Sequence, residues 1–296
     1  MKIFDTFTYF NEDMILDIRL NELNDFIHKF VIVESKYTHS GEEKKLNFKI
    51  SNFKKFENKI IYIVVDELPK NYLNIKTDAK SEENTNRQIE NALILENFQR
   101  NNITRGLKTA EEDDLILVSD VDEIPNLKTL NFLQASSNIL IFNQFFFHYK
   151  LNLYLKDLNY FGTKGCKKKK LQSPQWLRNI KNKKYNFLRP DIFFSNKKYN
   201  KVKFIKNGGW HFSNIMNENQ IIYKLKSYLH HADFPKELLN EKLFKQLIDD
   251  RKIMYNHSAD KGEDKYSEKK DLSILDSQFI PSYITNNKVK FNEWLI

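Results

Sequence analysis

Leu115-Ile116-Leu117-Val118-Ser119-Asp120-Val121-Asp122-Glu123-Ile124-Pro125 is the stretch on which the fold turns. A branched apolar run ends abruptly in three carboxylates within four residues, and a proline closes the segment. A continuous apolar run of this length is how a parallel strand buried on both faces reads. In open α/β sheets, ligands sit just beyond the carboxyl ends of such strands. Gathering Asp120, Asp122 and Glu123 there is electrostatically costly, because like charges at close range repel. A divalent cation relieves that cost, and hard oxygen ligands suit Mg²⁺ or Mn²⁺. The plain alternative is an acidic strand-to-loop junction satisfied by solvent or nearby lysines. Spacing alone leaves both readings open.

Outward from this strand, the first 135 residues alternate strands with helices. Ile3 to Phe7 reads as a strand and Asn11 to Phe30 as a helix, with Ile15, Ile18, Leu23, Phe26, Ile27 and Phe30 on one face. Val31 to Glu34 is a second strand, Phe48 to Phe56 a short helix, and Ile60 to Val65 a third strand. Ser81 to Arg105 is the longest helical candidate, with a Ser-Glu-Glu start and Gly106 past its end. A helix from about Leu127 to Gln134 follows the acidic segment. The alternation predicts an α/β fold with a Rossmann-like, mostly parallel sheet flanked by helices. No Gly-x-Gly-x-x-Gly follows the first strand, so a dehydrogenase is not indicated.

Beyond residue 135 the pattern changes. Ile139 to Leu155 is dense in aromatics and reads as one or two strands, Gly162 to Leu171 as a basic loop, and Lys201 to Ile205 as another strand. Helices are expected at Glu218–His230 and Lys236–Met254, and a charged loop at Asp260–Lys270. With no repeat and no clean linker, residues 1–296 read as one domain. Residues 1–135 form its alternating strand-and-helix half and 136–296 a C-terminal acceptor-side subregion.

Bulk composition narrows the class. Hydrophobic content of 41% and 14% aromatics describe a folded chain with a sizeable core. The net charge of +9 invites a nucleic-acid partner, yet the lysines look scattered and the densest run, Lys167 to Lys170, is short. A single cysteine, Cys166, forms no internal disulfide. No run approaches the roughly 20 apolar residues that span a bilayer, and no signal peptide or anchor is visible. A soluble, cytoplasmic protein with no membrane span is expected.

Several segments together resemble glycosyltransferase family 17. They are Phe4-Asp5-Thr6-Phe7, Ile18-Arg19-Leu20-Asn21-Glu22-Leu23, Phe30-Val31-Ile32-Val33-Glu34, Phe98-Gln99-Arg100-Asn101 ahead of Arg105-Gly106-Leu107, Ser173-Pro174-Gln175 and Lys224-Leu225-Lys226-Ser227. Asp120-Val121-Asp122-Glu123-Ile124-Pro125 and Gly208-Gly209-Trp210-His211-Phe212-Ser213 carry most of the weight. The resemblance implies a GT-A fold, a nucleotide-sugar donor (a UDP-sugar, with GlcNAc suggested), a divalent cation (Mn²⁺ or Mg²⁺) and inverting transfer to a glycan acceptor. Nucleic acid is not an expected partner.

Within that resemblance, Asp120-Val121-Asp122 is the Asp-x-Asp motif. Asp122 is the direct metal ligand, and Asp120 reaches the ribose or the metal through water. His211 is a metal ligand or a packed core histidine. Gly209, with Gly208, lets backbone approach a phosphate or makes a bend. Phe7, Asn11, Glu12 and Glu34 follow the first two strands, where the nucleobase would sit, although Phe7 also suits the core. Arg100 and Arg105 contact the donor or serve a helix C-terminus. Lys224 and Lys226 offset phosphate charge or form a solvated helix face.

Inversion needs a carboxylate base. Asp233, Glu123 and Asp191 are the candidates, and Asp233 also suits an N-cap before Pro235. Tyr149, Tyr154, Tyr160 and Trp176 stack on acceptor sugars or pack in the core. Two other classes compete: a nucleotidyltransferase on a similar sheet, and a non-catalytic basic module for RNA or anionic glycan.

Overall fold

A computed structural model describes residues 1–74, 81–128, 139–186, 188–192, 194–227, 240–254 and 269–296. The predicted α/β architecture is present, a GT-A-like large sheet flanked by helices. Strands β1 (Ile3–Thr8), β2 (Lys29–Ser35), β3 (Ile60–Val65) and β4 (Leu115–Asp120) lie parallel in the order β3-β2-β1-β4. The apolar runs of β1, β2 and β4 are buried on both faces, which is why these strands are continuous in hydrophobicity, while β3, last in the order, is only partly buried.

Alternation along the strands sorts two cores. Ile3, Phe7, Phe30, Ile32, Leu115 and Leu117 face helix α1 (Asp13–Leu23). Phe4, Val31, Val33, Ile116 and Val118 face the opposite side, where Ile103 and Leu107 follow helix α2 (Ser81–Asn101). Asp120 therefore ends β4 on the α2 side, whereas Ser119 points to α1.

Strand β5 (Glu123–Pro125) follows the acidic turn, and β6 (Ile139–His148) opens the second half of the sheet. After the short β7 (Leu153–Tyr154) comes β8 (Tyr160–Lys167), inserted antiparallel between β4 and β6. Helix α3 (Pro174–Asn179) precedes β9 (Val202–Ile205) and β10 (Gly209–Ser213), which both run parallel to β6. Strand β10 also pairs antiparallel with β5, setting His211 opposite Glu123. Helices α4 (Glu218–Ser227) and α5 (Glu241–Asp249) build a third core around Ile221, Phe244 and Leu247. The remaining elements are the small pair β11 (Lys252–Ile253) and β12 (Lys270–Asp271), β13 (Ser273–Ile274) on β7, and α6 (Ser282–Asn286) against α1.

Several expectations need correction. The first helix ends at Leu23, and Phe30 belongs to β2, where its side chain is still buried toward α1. The segment read as a basic loop, Gly162 to Leu171, is mostly β8. Its glycines are there for close packing: a Cβ at Gly165 would sit 2.7 Å from the Leu117 side chain. The segment at Ile50–Lys59 is a 3-10 helix, and α2 gives way to a 3-10 turn at Asn102–Leu107. The expected helix beyond Leu127 falls outside the described residues from 129 onward, as does most of the 260–270 loop. Among the described residues no helix is long and apolar enough to cross a membrane.

Candidate active site

The acidic turn after β4 is held in place by one buried arginine. Arg19, on α1, donates to both Asp5 carboxylate oxygens at 2.7 and 2.6 Å, and both side chains are fully buried. Its remaining donors reach the Ser119 hydroxyl at 2.9 Å and the carbonyls of Asp120, Val121 and Glu123 at 3.1, 3.1 and 2.8 Å. A planar fork satisfied on every side fixes the backbone path of the Asp-x-Asp turn. Its face also lies over the Phe7 ring, 4.3 Å from the centroid. Phe7 is thus a core residue beneath this network.

Asp120 emerges on the other side of the strand, between two guanidinium groups. Arg100 donates to Oδ1 at 2.9 Å and Arg178 to Oδ2 at 3.2 Å. Burial raises the Asp120 carboxyl, but these two cations outweigh it and hold the group well below the usual carboxylate range. Arg178 forks onto Glu123 as well, at 2.7 and 2.9 Å. Glu123 is fully buried and also accepts from the Tyr160 hydroxyl at 2.8 Å and the Asp120 amide at 2.9 Å. Burial opposes the charge on Arg178, and Glu123 and Asp120 more than offset it. Glu123 braces the turn.

Asp122 faces the cavity with different neighbours. His211 Nε2 lies 3.6 Å from its Oδ1, and Lys224 Nζ 3.8 Å from its Oδ2. Lys224 also lies 3.5 Å from Glu12 Oε1. Burial raises the Asp122 carboxyl, while His211 and Lys224 together hold it below its usual value. The His211 ring stacks on Tyr160 at 4.1 Å with 7° between planes, and Phe146 packs beside it at 4.8 Å. Its orientation is set by aromatic contact.

These groups line a cavity of about 540 Å³ at the carboxyl ends of β1, β2 and β4. Phe10, Glu12, Thr38, His39 and Gln99 border it from the parallel half, and His148, Tyr149, Phe244 and Met254 from the other half. The volume lies in the range of small-molecule sites.

A cation site can be tested on the donor geometry. Among the described residues no group of three or more His, Cys, Asp or Glu is disposed to hold a metal ion. Asp122 and His211 face each other as a two-ligand pair. Their 3.6 Å separation is too long for a hydrogen bond. Two ligands each about 2.1 Å from one cation lie roughly 3 to 3.5 Å apart, so the pair needs only a small closure. Asp120, with both oxygens turned to arginines, suits an outer role. A two-ligand protein site completed by substrate phosphates and water is typical of magnesium-like ions.

The other candidates are placed as follows. Glu12 lines the cavity and caps the loop before α1, accepting from the amides of Phe10 and Asn11 at 3.2 and 3.0 Å. Asn11 lies in that same turn. Glu34 is buried and accepts from Lys44, Tyr62 and the amides of Asn47 and Phe48, so it anchors residues 44–48. Arg105 is exposed and binds the Val64 carbonyl at 2.9 Å, away from the cavity.

Gly209 has φ +132°, and a Cβ there would meet the Ile124 carbonyl at 2.1 Å. Its role is the close passage of β10 against β5. Asp191 lies outside the cavity, paired with Arg189 and Lys198. Asp233 falls outside the described residues. Tyr149 and Tyr160 border the cavity, while Trp176 packs in the α2-side core.

Sequence reasoning missed Arg178 as part of the site and the bracing role of Arg19. A signal for Arg178 exists in Ser173-Pro174: the Ser173 hydroxyl accepts from the Trp176 amide and Pro174 takes the first turn, starting a helix whose last turn holds Arg178.

A family profile described as Glycosyltransferase family 17 matches residues 1–292. The chain belongs to glycosyltransferase family 17. Its similar curated relatives include the β-1,4-mannosyl-glycoprotein 4-β-N-acetylglucosaminyltransferases of Homo sapiens and Rattus norvegicus, each 26% identical over 242 residues. The one from Mus musculus is 25% identical over the same length. The human alignment covers 75% of this chain and 42% of the relative, so this family 17 chain spans under half the length of the curated proteins it matches. The matched region contains the turn and the β10 strand that build the cavity.

Proposed function

We propose that this family 17 chain is a metal-dependent, inverting glycosyltransferase that moves a sugar, GlcNAc, from a UDP-sugar to a hydroxyl of a glycan acceptor. The observation that carries the reading is the Asp122–His211 pair, a small closure away from the spacing one cation needs, in a cavity at the carboxyl end of a parallel sheet. The sugar is taken from the relatives' name, which gives N-acetylglucosamine as what they transfer. Family membership favours this reading over a nucleotidyltransferase or a basic binding module.

Mn²⁺ or Mg²⁺ supplies Lewis-acid stabilisation of the charge that grows on the departing diphosphate. Asp122 and His211 would hold it. Lys224 adds positive charge beside the same phosphates, and Glu12 keeps its ammonium aimed at the site. Asp120, kept ionised by Arg100 and Arg178, accepts hydrogen bonds from ribose hydroxyls. The acceptor oxygen attacks the anomeric carbon as the base takes its proton and nucleoside diphosphate leaves. Glu123 is engaged by Arg178 and Tyr160 and Asp191 lies outside the cavity, which leaves Asp233 as the carboxylate to test for that role.

The test is UDP release from UDP-GlcNAc, followed with Mn²⁺ and with a chelator. Release is expected to require the cation and to fall by about 10²-fold or more in Asp122→Ala. Release that continues undiminished in chelator contradicts the reading.

A further inference from the structure

Between α3 and β9 the sequence runs through residues 181–201, described at 181–186, 188–192 and 194–201, where the chain forms an arm outside the sheet. This stretch holds seven Lys and Arg against one acid, Asp191, an excess of six positive charges where the whole chain has nine. The lysines are thus gathered, although their spacing in sequence looks diffuse.

The arm is built, not loose. The Lys181 and Tyr185 amides donate to the carbonyls of Lys197 and Tyr199 at 2.8 and 3.3 Å. Trp176 Nε1 donates to the Asn196 carbonyl at 2.8 Å and meets Tyr199 edge-on. Asp191 is consumed internally, accepting from Arg189 and Lys198, and both cations also lie over the Tyr185 ring. Lys181, Lys183, Lys184, Lys197 and Lys201 remain exposed. Among them stand two large apolar side chains, Leu188 at 72% exposure and Phe194 at 92%.

Exposing large apolar groups amid cations on an ordered arm points to a surface that is anionic outside and apolar beneath. A bilayer has that profile: lysines meet anionic headgroups, while Leu and Phe enter the acyl boundary. Single-stranded nucleic acid fits less well, because its bases stack on aromatic faces and Leu188 offers none. We propose that the arm docks this protein on the surface of an anionic lipid bilayer. The docking does not depend on the transferase reading. Helix α3 carries Arg178 to Asp120 and leads directly into the arm, so docking would tether the site's own helix to the lipid surface.

The test is co-sedimentation of the whole chain with phosphatidylcholine vesicles, and with vesicles containing about one phosphatidylglycerol in three, at about 0.1 M salt. Binding is expected only to the anionic vesicles. Leu188→Ser with Phe194→Ser should weaken it about tenfold, and Lys183→Glu with Lys184→Glu by a similar factor. Reversing Lys242 and Lys245, exposed on α5, should leave it unchanged. Unaltered melting temperatures establish that each variant is folded. No preference for anionic vesicles overturns the proposal, as does binding indifferent to the Leu188 and Phe194 changes. Retention on single-stranded RNA that outcompetes the vesicles also overturns it, in favour of a nucleic-acid surface.

Discussion

Arg178 grips Asp120 and Glu123 at once, so its loss should act on both stability and catalysis. Arg178→Gln strands a fully buried Glu123 carboxylate, and breaking a buried pair in this way costs about 3–5 kcal/mol. Urea denaturation should show that loss. Arg178→Lys should recover part of the stability but not the fork that positions Asp120. Gly209→Ala is a second test at this scale. Its Cβ would press on the Ile124 carbonyl in a left-handed backbone region, with an expected cost of about 2–4 kcal/mol by the same measurement. The carboxylates of the Asp-x-Asp turn and His211 were legible because unusual residue types met at short spacing. Arg19 and Arg178 were not, since each acts on partners about a hundred or about fifty residues away; Ser173-Pro174 marks the start of the helix that holds Arg178 but not the contact it makes.

Helix α3 is six residues long and depends on its ends. Removing its cap with Ser173→Ala should cost about 1 kcal/mol and lower activity by loosening Arg178. Its far end is held by Lys164 of β8, whose buried ammonium donates to the carbonyls of Arg178 and Ile180. Burial, with Arg178 close by, brings the Lys164 ammonium down to about 7. The unfolded chain keeps that proton up to the ordinary lysine range. Between the two values the unfolded state binds more protons, so stability rises as pH climbs from about 7 toward that range. Urea midpoints measured at neutral and at moderately alkaline pH should show the rise, and Lys164→Met should remove it. Strands β1, β2 and β4 were readable from sequence because burial on both faces leaves an uninterrupted apolar run, and the half-buried β3 was readable from its β-branched residues. Strand β8 was not, because close packing demands glycines and Lys164 spends a charged side chain on a buried staple. Both features imitate a loop.

On the scale of the whole molecule, the cavity lies where the parallel half meets the strands and helices that follow β5. The change in pattern near residue 135 was visible in sequence. The way β10 folds back on β5 to bring His211 beside Asp122 was not, because it rests on a pairing about ninety residues apart. A ligand bridging the two halves should stabilise the fold in proportion to its affinity, by about 2.7 kcal/mol at a hundredfold excess over Kd. For a chain of this size that is a rise of roughly 5–10 °C in Tm. The decisive measurement is therefore the thermal shift caused by UDP-GlcNAc with and without Mn²⁺, on the native chain and on Asp122→Ala. A shift of that size only when nucleotide and cation are both present, absent in the folded Asp122→Ala variant, is the predicted result. An equal shift without the cation, or one that survives in Asp122→Ala, would contradict a cation held between Asp122 and His211.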